Sequence, residues 1–260
     1  MNKAGQYDEY QISAKDLREL PLEHVSAVAA LSYVVSEVNA LRRIFLSQSD
    51  ECTGQTVIDE ALNVQKLVIL RTWSSKLFEI KEFLEILCST KPLTDDVKLC
   101  QLALEAIADL KVSTTLEGYQ VARDLRNEAS SHYSFEAAKK NVPHLHEGAL
   151  CNMYISDTGG NDFFPLGESV MFHGRLHRRW KNIPSLEERR LKFDQWIMWC
   201  VEANESLIKS HAKFSNNLIF SALGRNKFYQ KNYWVPEPLV GHPLSRMTPV
   251  FSRINRLNSH

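Results

Sequence analysis

Glycine is scarce and unpatterned in this chain of 260 residues: there are ten, and only Gly159 and Gly160 are adjacent. That pair lacks the spacing of a phosphate-binding loop, and no G-x-G-x-x-G or G-x-S-x-G occurs. Nucleotide hydrolysis, dinucleotide cofactors and serine-hydrolase chemistry are therefore disfavoured. Cysteine offers no framework either. Cys52, Cys88, Cys100, Cys151 and Cys200 are scattered without a C-x-x-C, so neither disulfide staples nor a zinc knuckle is indicated, and a reducing compartment fits. Net charge is lacking: 31 basic residues balance 31 acidic ones. No whole-chain field draws the protein to nucleic acid, so any RNA contact must come from a local patch. No apolar run approaches the roughly 20 residues needed to span a bilayer. The first ten residues, M-N-K-A-G-Q-Y-D-E-Y, lack an apolar signal region. The expectation is a soluble, cytoplasmic protein with no membrane partner.

What is present is an ordinary globular composition, 44% hydrophobic and 24% charged, with helical periodicity over most of the chain. Leu22 to Leu46 carries Val25, Val28, Ala29, Leu31, Val35, Val38, Leu41 and Phe45 at helical spacing with no internal Gly or Pro, which predicts a first long helix. Turn formers from Ser47 to Gly54 separate it from a second, Val57 to Cys88, with a kink expected around Thr72 to Ser75. Thr94 followed by Asp95 and Asp96 reads as an N-cap with first-turn carboxylates, opening a third helix to about Leu110. A fourth is expected from Thr115 to Ser131, and a short one from a Ser134 cap to Lys140, stopped by Pro143. From Ala149 the texture changes to two short strands around Gly159 and Gly160. Ser185 and Glu188 in capping-box spacing then open a helix running to Leu223 and closed by Gly224. The expected fold class is thus all-α: a helical bundle over 20–145, a β-hairpin or loop insertion over 146–182, and a long C-terminal helix over 183–224. That helix packs on the bundle or on a partner. The remaining 225–260 is a basic, aromatic tail, read as an extended arm, with contact to single-stranded RNA as the other reading.

The chemistry concentrates in V-A-R-D-L-R-N-E-A-S-S-H-Y, residues 121–133. Arg126 offers a permanent cation with a rigid fork of donors suited to phosphate, and His132 can exchange a proton near neutral pH. Five residues separate them, and Asn127 occupies the polar position after the arginine. This pattern resembles the R-x4-6-H motif of the HEPN superfamily, in particular its abortive-infection and toxin–antitoxin members, over roughly residues 20–145. On an ideal helix six positions turn His132 about 120° from Arg126, so one chain does not obviously focus both on one atom. The resemblance implies a homodimer in which two copies of the motif face each other. It also implies a metal-independent endoribonuclease, with RNA as substrate and a partner antitoxin protein as restraint, and with no cofactor. Arg126, His132 and Asn127 are the expected catalytic residues, with Glu128, Tyr133 and Arg123 binding or supporting. Glu128, four positions before His132, either fixes its tautomer or is solvated. The alternative is a noncatalytic helical dimerisation protein.

Other clusters compete. His144 with His146, and His173 with His177 at i, i+4, are the only pairs with metal-ligand spacing, and neither has the remaining ligands of a zinc site. Arg175, His177, Arg178, Arg179 and Lys181, then Arg189, Arg190 and Lys192, form the best phosphate patch outside the motif, or a solvated helix entry. Glu79, Glu82 and Glu85, interleaved with Lys76 and Lys81, read as the wet face of the second helix.

Overall fold

The apolar spacing after Leu22 produces one continuous helix in the computed structural model, which describes residues 3–48, 52–89, 94–114, 117–125, 135–157, 161–179, 186–224, 228–234 and 248–251. Strand β1 (Lys3–Tyr10) and helices α1 (Ala14–Arg18), α2 (Leu22–Leu46), α3 (Thr56–Leu87), α4 (Val97–Thr114), α5 (Glu117–Leu125) and α6 (Phe135–Asn141) come first. A 3-10 turn, Val142–His144, follows α6. Next are α7 (Pro165–Glu168), a π-helical turn Ser169–His173, α8 (Gly174–Arg179) and α9 (Leu186–Ser215). A second π turn, Asn216–Phe220, leads into α10 (Ser221–Leu223), and strand β2 (Phe228–Trp234) ends the series. The fold is all-α, with one two-stranded antiparallel ribbon of β1 and β2. The chain forms two compact units: 1–42 with 76–116 and 198–245, and 43–75 with 117–197 and 246–260.

In the first unit, Leu31, Val35 and Val38 of α2 are buried with Leu77, Ile80 and Leu84 of α3, Leu99, Ala103, Ala106 and Leu110 of α4, and Cys200, Ala203, Leu207 and Phe214 of α9. Phe78 and Trp199 meet with ring centroids 5.0 Å apart. Polar side chains among these helices meet each other. Asn204 donates to Asn39 at 2.9 Å, and Arg42 pairs with Glu205 at 3.2 Å. His24 Nε2 lies 2.8 Å from Asp96, whose carboxylate also accepts from the Leu99 backbone N–H. Asp96, rather than Thr94, therefore caps α4; Thr94 instead accepts from the Asp96 backbone N–H and donates to Glu23. The backbone N–H of Leu99, first, and His24 hold the Asp96 carboxyl below its ordinary pKa. By length and a mean hydropathy of 1.2 over its best window, α2 is apolar enough to cross a membrane. Its alanine and valine content raises hydropathy although no unbroken apolar run exists. Ser32, Asn39 and Arg42 tie it to α9, and 22% of that window is buried within the described structure.

The tail, read from sequence as an arm, enters this unit as a strand: β2 pairs with β1, Tyr10 opposite Phe228 and Lys3 opposite Trp234. Tyr10 stacks on Phe220 at 4.2 Å, and its hydroxyl donates to the Gly224 carbonyl. Gly224 has φ +77° and ψ 159°, a backbone conformation that favours glycine, and its N–H reaches the Phe220 carbonyl at 3.1 Å.

The second unit is built on large aromatics. Trp73, Phe172 and Trp196 are almost wholly buried. Trp196 donates its indole N–H to Ser74 at 3.1 Å and stacks against Phe172 at 6.0 Å, while Phe45 meets Trp73 at 5.8 Å. Such rings contribute area and directional contacts together. Of the expected hairpin, a single bridge is described, Tyr154 with Phe163. Pro165, at the first helical position, has its φ preset for a helix, so the apolar run from Leu166 onward coils rather than extending the second strand. The region expected to kink, Thr72 to Ser75, lies within continuous α3. Gly174 is demanded by packing: a β-carbon there would stand 2.9 Å from the Asn141 carbonyl oxygen.

Candidate functional site

Helix α5 presents Val121 and Ala122 inward and Arg123 outward, so that the chain enters Arg126 from an amphipathic helix ending at Leu125. The guanidinium of Arg123, an exposed residue, sits 6.0 Å from the centre of the Tyr119 ring one turn back, at cation–π distance. Glu117 at the start of α5 pairs with Lys192 of α9 at 2.7 Å. That pairing, Lys192 first, lowers the Glu117 pKa. Arg126, Asn127, Glu128, His132 and Tyr133 lie outside the described residues, between α5 and α6.

The same unit contains a cleft of about 540 Å³. Its lining combines Glu60, Asn63 and Val64 of α3 with His146, Gly148, Ala149 and Leu150, and with Pro165, Glu168, Ser169, His173 and His177. Three of the four histidines singled out by spacing thus line the cleft, and His144 does not. The π turn, with five residues per hydrogen-bonded ring, joins α8 so that His173 and His177 both reach the cleft. The His146 and His177 rings are 6.0 Å apart. His146 Nδ1 accepts the Gly148 backbone N–H at 3.0 Å, which places the proton of the neutral ring on Nε2. Among the described residues no group of three or more His, Cys, Asp or Glu is arranged to hold a metal ion.

The two carboxylates of the cleft differ in company. Both Glu168 oxygens are occupied by the Arg71 fork, one contact at 2.8 Å, with the two side chains 12% and 21% exposed. Such a bidentate pair neutralises its own charge. Glu60, in contrast, is held by neutral groups. Asn152 Nδ2 lies 3.3 and 3.2 Å from its two oxygens and 2.9 Å from the Tyr154 hydroxyl. The Tyr154 hydroxyl is hydrogen-bonded to Glu60, and that bond, above all, raises the tyrosine's pKa. Among the described residues, then, the hydrogen-bonding partners of Glu60 are neutral, in a cleft that Asn63, Ser169, three imidazoles and apolar side chains also line.

Glu60, Asn152, Tyr154 and Arg71 carried no motif in the sequence: Glu60 and Tyr154 are far apart in the chain and meet only through folding. The expected basic patch is dispersed. Arg175 is almost fully buried, Lys192 is paired with Glu117, Arg179 and Arg190 are exposed, and Lys181 lies outside the described residues. On α3, Lys76 pairs with Glu79 at 3.0 Å and Lys81 with Glu85 at 2.5 Å, as a wet helix face does. No family model matches the chain, and neither a curated protein nor a solved structure does.

Proposed function

We propose that the chain is a metal-independent endoribonuclease of HEPN type, acting as a cytoplasmic homodimer in bacterial defence or a toxin–antitoxin system. The observation that carries this is the Arg126-Asn127-x4-His132 arrangement, directly following amphipathic α5 in an all-α chain. His132 removes the proton of a ribose 2′-hydroxyl, whose oxygen attacks the adjacent phosphorus. The P–O5′ bond breaks as the new P–O2′ bond forms, leaving a 2′,3′-cyclic phosphate and a 5′-hydroxyl. Arg126 neutralises charge building on the phosphorane, and Asn127 orients the phosphate. His132 of the partner subunit protonates the leaving oxygen, so that arginine and histidine of one motif need not converge on the same atom. Glu128, Tyr133 and Arg123 hold the histidine and the strand.

The test is product chemistry with purified protein on a defined RNA. Cyclic phosphate ends should form with the wild type and be lost in Arg126→Ala and His132→Ala, with melting temperatures unchanged. Products ending in 3′-hydroxyl and 5′-phosphate would overturn the mechanism. A matching fall in melting temperature for both variants would make these residues structural and favour a noncatalytic dimerisation protein.

A further inference from the structure

Two of the five thiols converge on one turn of helix. Cys88 follows the last residue of α3, and its Sγ lies 3.4 Å from the Leu84 carbonyl oxygen and 3.9 Å from that of Glu85. Cys100, near the start of α4, turns its Sγ back onto the same end of α3, 3.6 Å from the Leu87 carbonyl oxygen and 3.6 Å from that of Thr94. Leu87 is the residue bonded to Cys88. A carbonyl oxygen lies about 2.8 Å from the next Cα across a trans peptide, so the Cys100 sulfur stands no more than about 6.5 Å from the Cys88 Cα. Rotation of the two side chains covers the remaining distance to an S–S bond of about 2.05 Å. The S–H···O contacts that hold the thiols apart are weak and cost little to release. Burial, first, and then the neighbouring Cys100 sulfur push the Cys88 thiol above its ordinary pKa. Both residues are half-buried, within reach of a small oxidant, whereas Cys200 is buried.

We infer that Cys88 and Cys100 form a reversible dithiol–disulfide pair, closed by a small disulfide oxidant of the glutathione class and joining the end of α3 to the start of α4. One cysteine thiolate attacks a sulfur of the oxidant, forming a mixed disulfide and expelling one glutathione thiolate. The other cysteine, as thiolate, attacks the protein sulfur of that mixed disulfide. The bond to glutathione breaks as the Cys88–Cys100 bond forms, and the second glutathione leaves. The pair gives up two electrons and two protons, and the oxidant is reduced to two thiols. Disulfides in reducing compartments are mostly transient and redox-sensing, so the pair rests as thiols and closes only under oxidation. Closure ties two core helices of the first unit together and restricts the unfolded chain. None of the residues proposed for RNA cleavage takes part, so the inference stands apart from that reading.

The experiment is incubation of the reduced, full-length protein with oxidised glutathione, quenching with an alkylating agent, and peptide mapping by mass spectrometry without reduction. A cross-link should appear between the peptides of Cys88 and Cys100, two hydrogens lighter than the reduced pair, and dithiothreitol should restore both thiols. Exposed Cys52, whose thiol donates to Asp59 at 3.3 Å, should instead retain a glutathione adduct. In Cys88→Ser the remaining Cys100 should also keep its adduct, as should Cys88 in Cys100→Ser, because the second attacking thiol is gone. The cross-linked wild type should melt roughly 5 °C or more above the reduced form. Stable adducts on Cys88 and Cys100 without a cross-link, or a cross-link from either to another cysteine, would overturn the inference. So would a cross-linked form that melts below the reduced one, because the two thiols would then have to leave their native positions to meet.

Discussion

In the first unit polar side chains that reach the helix packing meet one another: Asn39 meets Asn204, His24 meets Asp96, Ser32 meets His211 at 2.8 Å. In the second unit histidines, a serine and two glutamates line an open cleft, and among the described residues an arginine matches the charge of one of the glutamates, Glu168. The same residue types therefore serve two ends. Where partners come from facing helices, a polar group fixes helix register and is used up; where they converge on a space, it becomes available to a ligand. What separates the two is local backbone. Long uninterrupted helices bring side chains face to face, whereas the irregular stretch from His146 to Tyr154 and the π turn at Ser169–His173 hold side chains around a void.

Truncating the aromatic cores should have the largest effects and shows whether the two units report separately. Trp199→Ala, in the first unit, and Trp196→Ala, in the second, should each cost about 3–5 kcal/mol by denaturant unfolding. Two calorimetric transitions, with Trp199→Ala lowering one and Trp196→Ala, which backs Phe172 of the π turn, lowering the other, would keep the distinction, and a single transition lowered in both would erase it.

Removing one partner of the cleft ion pair comes next. Arg71→Ala leaves Glu168 with an unmatched charge and should cost roughly 2–3 kcal/mol, most of it recovered when Glu168→Gln is added. Additive losses in that double variant would contradict the pairing. A smaller, pH-dependent effect belongs to His211. Burial lowers its pKa below the ordinary 6.5, so the folded chain binds that proton less readily than the unfolded chain. Its stabilising contribution is then complete above about pH 6.5 and is lost as pH falls through the folded-state pKa. His211→Gln should flatten the decline in melting temperature from about pH 7 to about pH 5, and an unchanged slope would count against it. Smallest of all, Lys213→Ala breaks an exposed bridge to Asp109 and should leave the denaturant midpoint unchanged within error; a clear fall would contradict the exposed, solvent-screened pairing.

Helices were the most legible part of the chain because a buried stripe imposes its period on the sequence. The boundaries of α2 are those the periodicity gave, and Gly224 ends the last helix as its conformational freedom suggests. The N-terminal strand was not legible, since β1 is too polar to announce itself and is defined by pairing with a distant segment. The cleft was half legible. His146, His173 and His177 stood out by spacing, although as metal ligands; Glu60, Asn152 and Tyr154 did not, because nothing local to Glu60 on α3 marks the residues that will orient it. The motif from Arg126 to Tyr133 is legible only as a motif, and these residues lie outside the described ones.

The measurement that bears most directly on the central claim is cleavage of total cellular RNA by the purified protein in EDTA, wild type against His132→Ala. The account predicts cutting by the wild type that the variant lacks. Equal cutting by both would contradict it, because His132 would then not be the base.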